Sequence, residues 1–585
     1  MSPFWEEIMR DFSYFQLRAL LYQREQQQTA EFKLKELEPL WFCTQKNIKR
    51  KLNKFAEEGL LHYEPGIGRG NPSRLVFHEP FQSEVQKTVQ LFVEAQELDS
   101  VIQLMHLPIP KNWFTAISKD VQSLFGLHTD ESDRETLRTI MTRDITTLDP
   151  LQTSVTFECS LIQQLGDTLL VYDRDQDTVR PHLAHHWTVS ADHRVWTFYL
   201  RKGVYFHHQR IMTSYDVVYT IARNQDKTLP YYWLVEDIET MECPGKYIVR
   251  LHLKKPNPFF SRYLCSANLS ILPEDVPFDE FQWVGTGPFM LKARTDKKMV
   301  LEAFDRYFLE RPFIDEIEFW RVSKDTVYDA KYQVAAGNEQ ISTVESKEVE
   351  PGFRFLSFNF NKDHIVQQPG FRQAIYHLMD VKKMLRDLGR KNLSEASSYF
   401  LSKSRQQEKH PERVAALLAD SGYSGEELTL YTIASREMIA EGDWLVSEAK
   451  VHGINLRHVV FEIDQIYTPR LEAEADLVLM EEIASEDTHL SFIGFFYNRA
   501  LVLRRFVDNE RFAIIDSLLD EFKRASGQQE REDIIDKIEK YLGNEMIYFY
   551  THHPIRNRTF NPLIQDIRFQ LFGHADFRKL WIQPL

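Results

Sequence analysis

Apolar positions near the start of the chain recur at helical spacing. Ile8, Phe12, Phe15 and Leu20 predict a helix over 6–25, uninterrupted by proline or glycine. Leu34, Leu37, Leu40 and Trp41 predict a second over 32–42, bent or shortened by Pro39. Thr44 is the expected N-cap of a third, which ends near residue 58 before Gly59. In that helix Ile48, Leu52 and Phe55 fall at i, i+4 and i+7, which defines one buried stripe. Gln45, Lys46, Asn47, Lys49, Arg50, Lys51, Asn53 and Lys54 occupy the other faces. Two short strands follow, 60–64 and 74–77, joined by the turn-rich segment PGIGRGNPS. Three helices and a hairpin predict a winged helix-turn-helix over 1–78.

That pattern has a chemistry. A helix with one apolar and one basic, amide-rich face suits the major groove, where Arg, Lys, Asn and Gln pair with base edges. The candidate DNA-contacting residues are Thr44, Gln45, Lys46, Asn47, Lys49, Arg50 and Lys51. In the glycine-rich wing, Arg69, Asn71, Ser73 and Arg74 can lie along phosphates or a minor groove. The competing readings are a solvated basic face and a protein-docking module.

From 80 to 99 the pattern is helical again, with Val85, Val89, Phe92 and Val93 on one side. Pro108 and Pro110 break it before another helical stretch, WFTAISKDVQSLFGL, and LHTDESDRE reads as a polar loop. Residues 79–133 form the expected helical linker, suited to homodimer formation or to transmitting a conformational change.

Beyond 134, period-two and continuous apolar runs alternate with helical patterns. Strands are expected at 137–141, 196–200, 248–253, 314–322, 353–358, 428–432 and 477–480. Helices are expected at 371–388, 411–422, 437–452, 512–525 and 529–545. The alternation implies an α/β architecture over 134–585, its second lobe at roughly 355–545.

Composition narrows the class. An apolar fraction of 43% and an aromatic fraction of 13% exclude a disordered chain. The net charge is −15, yet residues 31–78 carry nine Lys/Arg against six Asp/Glu. Phosphates are therefore expected to meet the N-terminal region, if any. The first thirty residues are charged throughout, and no run reaches the roughly 18–20 apolar residues of a membrane span. Cys43, Cys159, Cys243 and Cys265 form no CxxC pair, which fits a reducing cytoplasm. The pairs His185-His186, His207-His208 and His552-His553 are adjacent residues, a spacing that rarely ligates one metal. No HExxH, GxxxxGK[ST], GxSxG or helix-opening GxGxxG occurs. Neither catalysis, a metal nor a cofactor is expected. The run Tyr231-Tyr232-Trp233 can stack a sugar or base, or simply pack.

Two resemblances follow from these residues. Pro65, Gly66, Gly68, Arg69, Gly70, Asn71, Ser73 and Leu75 match the wing PGxGRGNxSxL, and the segment from Leu40 to Phe77 resembles the N-terminal domain of SgrR-type transcription regulators. That resemblance implies sequence-specific binding to double-stranded DNA. Residues 134–585 resemble the family-5 solute-binding proteins, the peptide- and oligosaccharide-type receptors of ABC transporters. The ordered landmarks are the stretch opening at Leu148, the polar helix start at Thr213, Ser214 and Asp216, the run Trp283 to Phe289, and Asn361, Pro369, Phe371, Arg372 and Ala374. The fold implied is multidomain: a winged helix-turn-helix, a helical linker and a two-lobed periplasmic-binding-protein-like (type II) α/β domain that closes on a ligand.

Together the resemblances imply a cytoplasmic regulator that senses a small molecule. The alternative is the solute-binding component of an ABC transporter. Peptide-binding members carry a Gly-Trp-x-x-Asp segment whose Asp pairs with the peptide amine. Here the corresponding stretch is LVLMEEIASEDTHLSF, crowded with Glu481, Glu482, Glu486 and Asp487. Such acids match a cationic or hydroxyl-rich ligand and repel a phosphate unless Lys or Arg answers them. With Asn359 and Asn361, the residues Glu481, Glu482 and Glu486 are the candidate ligand contacts.

Overall fold

The computed structural model describes residues 12–67, 71–95, 97–110, 113, 126–129, 133–141, 143–322, 344–349, 352–390, 394–485, 487–499, 501–560, 564–565 and 577–582. Helix α1 spans Ser13–Leu21, followed by a 3-10 turn, strand β1 (Thr29–Phe32) and the short helix α2 (Glu38–Trp41). Helix α3 (Gln45–Glu57) leads into the hairpin of β2 (Leu61–Glu64) and β3 (Ser73–Phe77). The sheet order is β1-β3-β2, all antiparallel.

Two local expectations fail here. The helix expected over 6–25 ends at Leu21, and residues up to 11 lie outside the described set. The helix expected over 32–42 is replaced at its start by β1, where Thr29–Phe32 pairs with Val76–Ser73 of β3. Strand partners 41 to 47 residues away decide that segment, and local periodicity does not register them. Pro39 falls in the first turn of α2, where its missing N–H leaves no internal bond unmade.

Helices α4 (Phe81–Glu94) and α5 (Leu98–Met105) pack on the winged helix. Val85, Val89 and Phe92 join Ile48, Leu52, Phe55 and Leu75 in one buried cluster. The apolar face of α4 is covered within the same chain. Arg18 fastens this union: it is fully buried and stacks 4.2 Å from the Phe77 ring and 5.0 Å from that of Phe81. Its guanidinium pairs with Glu84 of α4 and lies 2.9 Å from Glu25.

The larger region has two lobes. In lobe 1, β4 (Gly126–Thr129) and β5 (Glu135–Met141) extend a five-stranded sheet whose next strand is β6 (Glu316–Arg321), parallel to β5. The segment expected as a polar loop at 127–135 therefore supplies an edge strand. A four-stranded antiparallel sheet, from Ala184–Val189 to Ile248–Leu253, completes the lobe. Val344–Val349 and Ile555–Phe560 pair antiparallel, so the outgoing and returning crossovers between the lobes lie side by side. Lobe 2 is built on β7 (Gly352–Phe358) and β8 (Leu477–Ile483), antiparallel neighbours in a mixed five-stranded sheet. Helix α6 (Thr488–Tyr497) follows β8 and is apolar on nearly every side, so it carried no periodic signal. The helix expected at 371–388 is two, Pro369–Leu378 and Val381–Asp387.

The lobes are closed on one another. Arg262 of lobe 1 lies 2.9 Å from Asp487 of lobe 2, both almost fully buried. Lys523 reaches back to Glu236 at 3.1 Å, and Trp233 stacks on Tyr497 at 5.6 Å. The N-terminal body docks on lobe 1: Trp320 and Val322, at the end of β6, are buried in its cluster. A ring nitrogen of His106 lies 3.1 Å from the Arg321 carbonyl, and Lys298 lies 3.6 Å from Asp99.

Candidate nucleic-acid interface and interlobe cavity

The buried stripe of Ile48, Leu52 and Phe55 fixes which face of α3 meets solvent. Lys46, Asn47, Lys49 and Arg50 stand exposed on it and engage no other described side chain, so their donors are available to a groove. Thr44 precedes the helix in extended geometry, but its hydroxyl makes no capping bond. Gln45 donates to Glu38 at 2.9 Å. Lys51 departs from its expected role: it is half-buried, donates to the Ser13 hydroxyl and lies 5.0 Å from the Trp41 ring. Its ammonium helps fasten α3 to α1 and α2.

The wing is partly structural. Ser73 is buried, and its hydroxyl accepts from the Gly66 N–H at 3.2 Å, closing the base of the loop. The Asn71 amide donates to the Ile67 carbonyl, which leaves Ile67 exposed at the loop. A Cβ on Gly66 would lie 2.5 Å from the Asn71 carbonyl oxygen, so only glycine fits there. Arg74 is half-exposed, 3.8 Å from Glu64. Arg69 lies outside the described residues.

The second site is a cavity of about 350 Å³ between the lobes, at the small end of the roughly 300–1,000 Å³ usual for small-molecule sites. Lobe 1 contributes Ser154, Tyr172, Tyr231, Trp233 and Asn268. Lobe 2 contributes Phe355, Met480, Glu481, Glu482, Asp487, Phe495 and Asn498. Asn498 donates to the Ser154 hydroxyl across the lobes at 3.1 Å.

Strand pairing separates the two glutamates. Cross-strand partners share a face. Glu481 pairs in register with Arg354, and Glu482 with Phe353. Glu481 accordingly accepts from Arg354 at 2.9 Å, and Arg354 also pairs with the fully buried Glu441. Glu482 faces the aromatic side and makes no hydrogen bond or ion pair with any described residue. Burial pushes its carboxyl up to about 8. Asp487 holds Arg262 through Oδ1, while its Oδ2 accepts nothing.

Two expected contacts are corrected. Asn359 is fully buried, and its amide donates to the Glu472 and Ala475 carbonyls at 2.8 and 2.9 Å. The Asn361 amide donates to the Arg505 carbonyl. Both fasten the end of β7, and neither lines the cavity, because they lie beyond the strand end opposite Glu482. Glu486 lies outside the described residues. Tyr231 and Trp233, from the aromatic run, do line it. Nothing in the local sequence pointed to Tyr172 or Asn268, which distant segments bring in. Among the described residues no group of three or more His, Cys, Asp or Glu is arranged to hold a metal ion, and no helix is long and apolar enough to cross a membrane.

Two lobes joined by paired crossovers around a lined cavity define a solute-binding protein of the two-lobed class. The chain belongs to the bacterial extracellular solute-binding proteins, family 5, whose description matches residues 178–500. Residues 13–124 match a second family, described as the sugar transport-related sRNA regulator N-terminal domain. Along the whole chain, YhjP of Bacillus subtilis (strain 168) is 25% identical over 95% of this chain and 96% of its own length. The HTH-type transcriptional regulator SgrR of Pectobacterium atrosepticum is also 25% identical, over 96% of this chain and 97% of its own. Among solved structures, the periplasmic binding protein DppA of Helicobacter pylori, in complex with the peptide STSA, superimposes with a TM-score of 0.65 at 20% identity. That match covers 77% of this chain and 98% of DppA, and it shows a shared fold.

Proposed function

We propose that this protein is a cytoplasmic, DNA-binding transcription regulator whose two-lobed domain takes a small molecule and thereby changes DNA affinity. The observation that carries the reading is the shared core: a winged helix with an outward basic face is packed onto β6, the lobe 1 strand that ends where the chain leaves for the crossover. Trp320 and Val322 lie in that core, and the crossover strand Val344–Val349 begins 22 residues later. Lobe closure acts on the crossovers, so a ligand that favours one lobe arrangement biases the attachment of the DNA-binding body. A coupling of about 1–3 kcal/mol is typical of such linkage and suffices for regulation. The proposed activity is binding alone. The transporter reading, a solute receptor of the DppA kind, has no use for α3 and its exposed Lys46, Asn47, Lys49 and Arg50.

The test is binding of the full chain to DNA from upstream of its own gene and neighbouring genes, at two salt concentrations. Selective binding that weakens steeply with salt supports the reading. Selective binding that is absent both with and without cell-extract metabolites would transfer the weight to a plain receptor.

A further inference from the structure

The cavity's polar atoms are unequally satisfied. Asn268 is occupied, donating to the Pro150 and Thr153 carbonyls at 2.7 and 3.1 Å. Two buried atoms are not: among the described residues Asp487 Oδ2 accepts no hydrogen bond and Trp233 Nε1 donates none. The half-buried Glu482 carboxylate makes no hydrogen bond or ion pair with any described residue. Asp487 is 3% exposed and Trp233 6%, so bulk water reaches them poorly. A buried polar atom without a partner costs about 1–3 kcal/mol, and such groups persist where a ligand satisfies them.

The charge is one-sided. The lining includes Glu481, Glu482 and Asp487 but no Lys, Arg or His among the described residues. Glu481 is neutralised by Arg354, and Asp487 in part by Arg262. Glu482 alone remains without a counter-charge. The rest of the wall is apolar and aromatic, with Tyr172, Tyr231, Trp233 and Phe495 presenting rings, the surroundings in which a cation gains from both a carboxylate and π-faces.

We propose that the interlobe cavity selects a small monocationic amine with an apolar body, its ammonium held by Glu482. The inference rests on the cavity being the ligand site. Asp487 Oδ2 offers the ammonium a second acceptor, and Trp233 Nε1 takes an acceptor group of the ligand or a bound water. Among the described residues the lining offers an anion no positive charge, which disfavours a phosphate or carboxylate ligand.

Binding carries a proton signature. Because burial raises the Glu482 carboxyl to about 8, the free site is protonated at neutral pH, and an ammonium must displace that proton. The groups packed around it are Phe353 on β7, the hydroxyls of Tyr399 and Tyr548, Asp487 with Arg262, and, on the opposite face, Glu481 with Arg354. Both tyrosines are themselves pushed up by burial and stay neutral. Affinity for an amine therefore rises as pH climbs toward about 8.

The experiment is calorimetry of the full chain with 2-phenylethylamine, its neutral isostere 2-phenylethanol and its anionic counterpart phenylacetate, with benzylamine and 4-phenylbutylamine to vary length. The amine series is expected to bind at least about tenfold tighter than the alcohol, and to tighten about tenfold between pH of about 6.5 and 8. Glu482→Gln abolishes the preference and the pH dependence while leaving the alcohol unchanged. Should the variant fail to fold, the wild-type pH profile decides. Equal affinity for amine and alcohol, tighter binding of phenylacetate, a preference that survives Glu482→Gln, or no amine binding up to about 10 mM each overturns the proposal. Amine binding without selective DNA binding would leave the ligand class standing and remove the regulator reading. The converse result would do the opposite.

Discussion

Helix α3, the proposed DNA face, and the interlobe cavity, the proposed ligand site, are both polar surfaces, but they are built in opposite ways. On α3 the donors point into water, and one stripe of three apolar residues, Ile48, Leu52 and Phe55, sets their direction. Each exposed group there is cheap to keep, because solvent satisfies it. In the cavity, Asp487 is buried and Glu482 half-buried, and their positions depend on β7, β8, α6 and lobe 1 meeting correctly. The lesson is that the proposed DNA face is robust and generic, whereas the proposed ligand cavity holds Asp487 Oδ2 and Trp233 Nε1 without partners among the described residues. Arg18 and Arg262 make the same point within the scaffold. The first joins the winged helix to its linker, and the second joins lobe to lobe, each as a buried cation between carboxylates.

The comparison breaks most forcefully at Arg18. Arg18→Met leaves Glu84 buried without its partner, and such losses cost about 3–5 kcal/mol. Calorimetry should show an early-melting N-terminal body, loss of DNA binding and unchanged ligand binding in the cavity. Loss of both binding activities together would mean that the two regions form one cooperative unit.

Acid should attack the other region first. Burial, with Arg262 and Arg531 nearby, lowers His489 to about 4, and the residue is 5% exposed at the lobe interface. The unfolded chain takes up a proton near pH 6.5 that the folded chain refuses until about 4. Stability is therefore full above about 6.5 and falls as pH drops toward 4, by about 3 kcal/mol for this group. A His489→Asn variant should flatten the dependence of the melting temperature on pH across that window. An unchanged slope would show that the lobes are not held by a neutral His489.

On the DNA face the effects are smaller and separable. Arg50→Ala should weaken selective DNA binding by about 1–3 kcal/mol if it reads a base, or lower the salt slope by about one if it meets a phosphate. Thermal stability should stay within about 0.5 kcal/mol, because the side chain is exposed and engages nothing. Equal loss of stability and affinity would contradict the exposed placement. The smallest effect is expected at Phe42, which is 93% exposed in the left-handed region at φ 47° between α2 and α3. Phe42→Gly should stabilise by up to about 1 kcal/mol, since glycine enters that conformation without penalty. Destabilisation in urea unfolding would mean that the ring packs in solution.

Much of the winged helix was legible because its signals are local. The period of α3, the Gly-rich wing and the short strands all lie within 45 consecutive residues, and the wing motif names a family. Strands 248–253 and 428–433 were equally readable from apolar positions interleaved with polar ones, expected to within a residue. What failed left no local periodic signal. β1 exists because the distant β3 accepts it, β4 because the neighbouring β5 does, and α6 is helical with no amphipathic period to announce it. Lys51 belonged to the basic set by type and to the scaffold by geometry, a distinction that only the positions of Ser13 and Trp41 could make.

The cavity shows the same division at its sharpest. By itself the sequence determined that acids cluster after the strand expected at 477–480 and that an aromatic run stands at 231–233. It could not determine that Glu481 is spent on Arg354 while Glu482 is free, because adjacent residues on a strand differ only in which face they take. That choice is made by the register of β7 against β8. Nor could it place Asn359 and Asn361, whose amides look available in the chain yet are consumed by carbonyls more than a hundred residues away. Hydrophobic periodicity is a property of neighbours along the chain and survives in the sequence. Hydrogen-bond satisfaction is a property of neighbours in space, and the tertiary structure alone decides it.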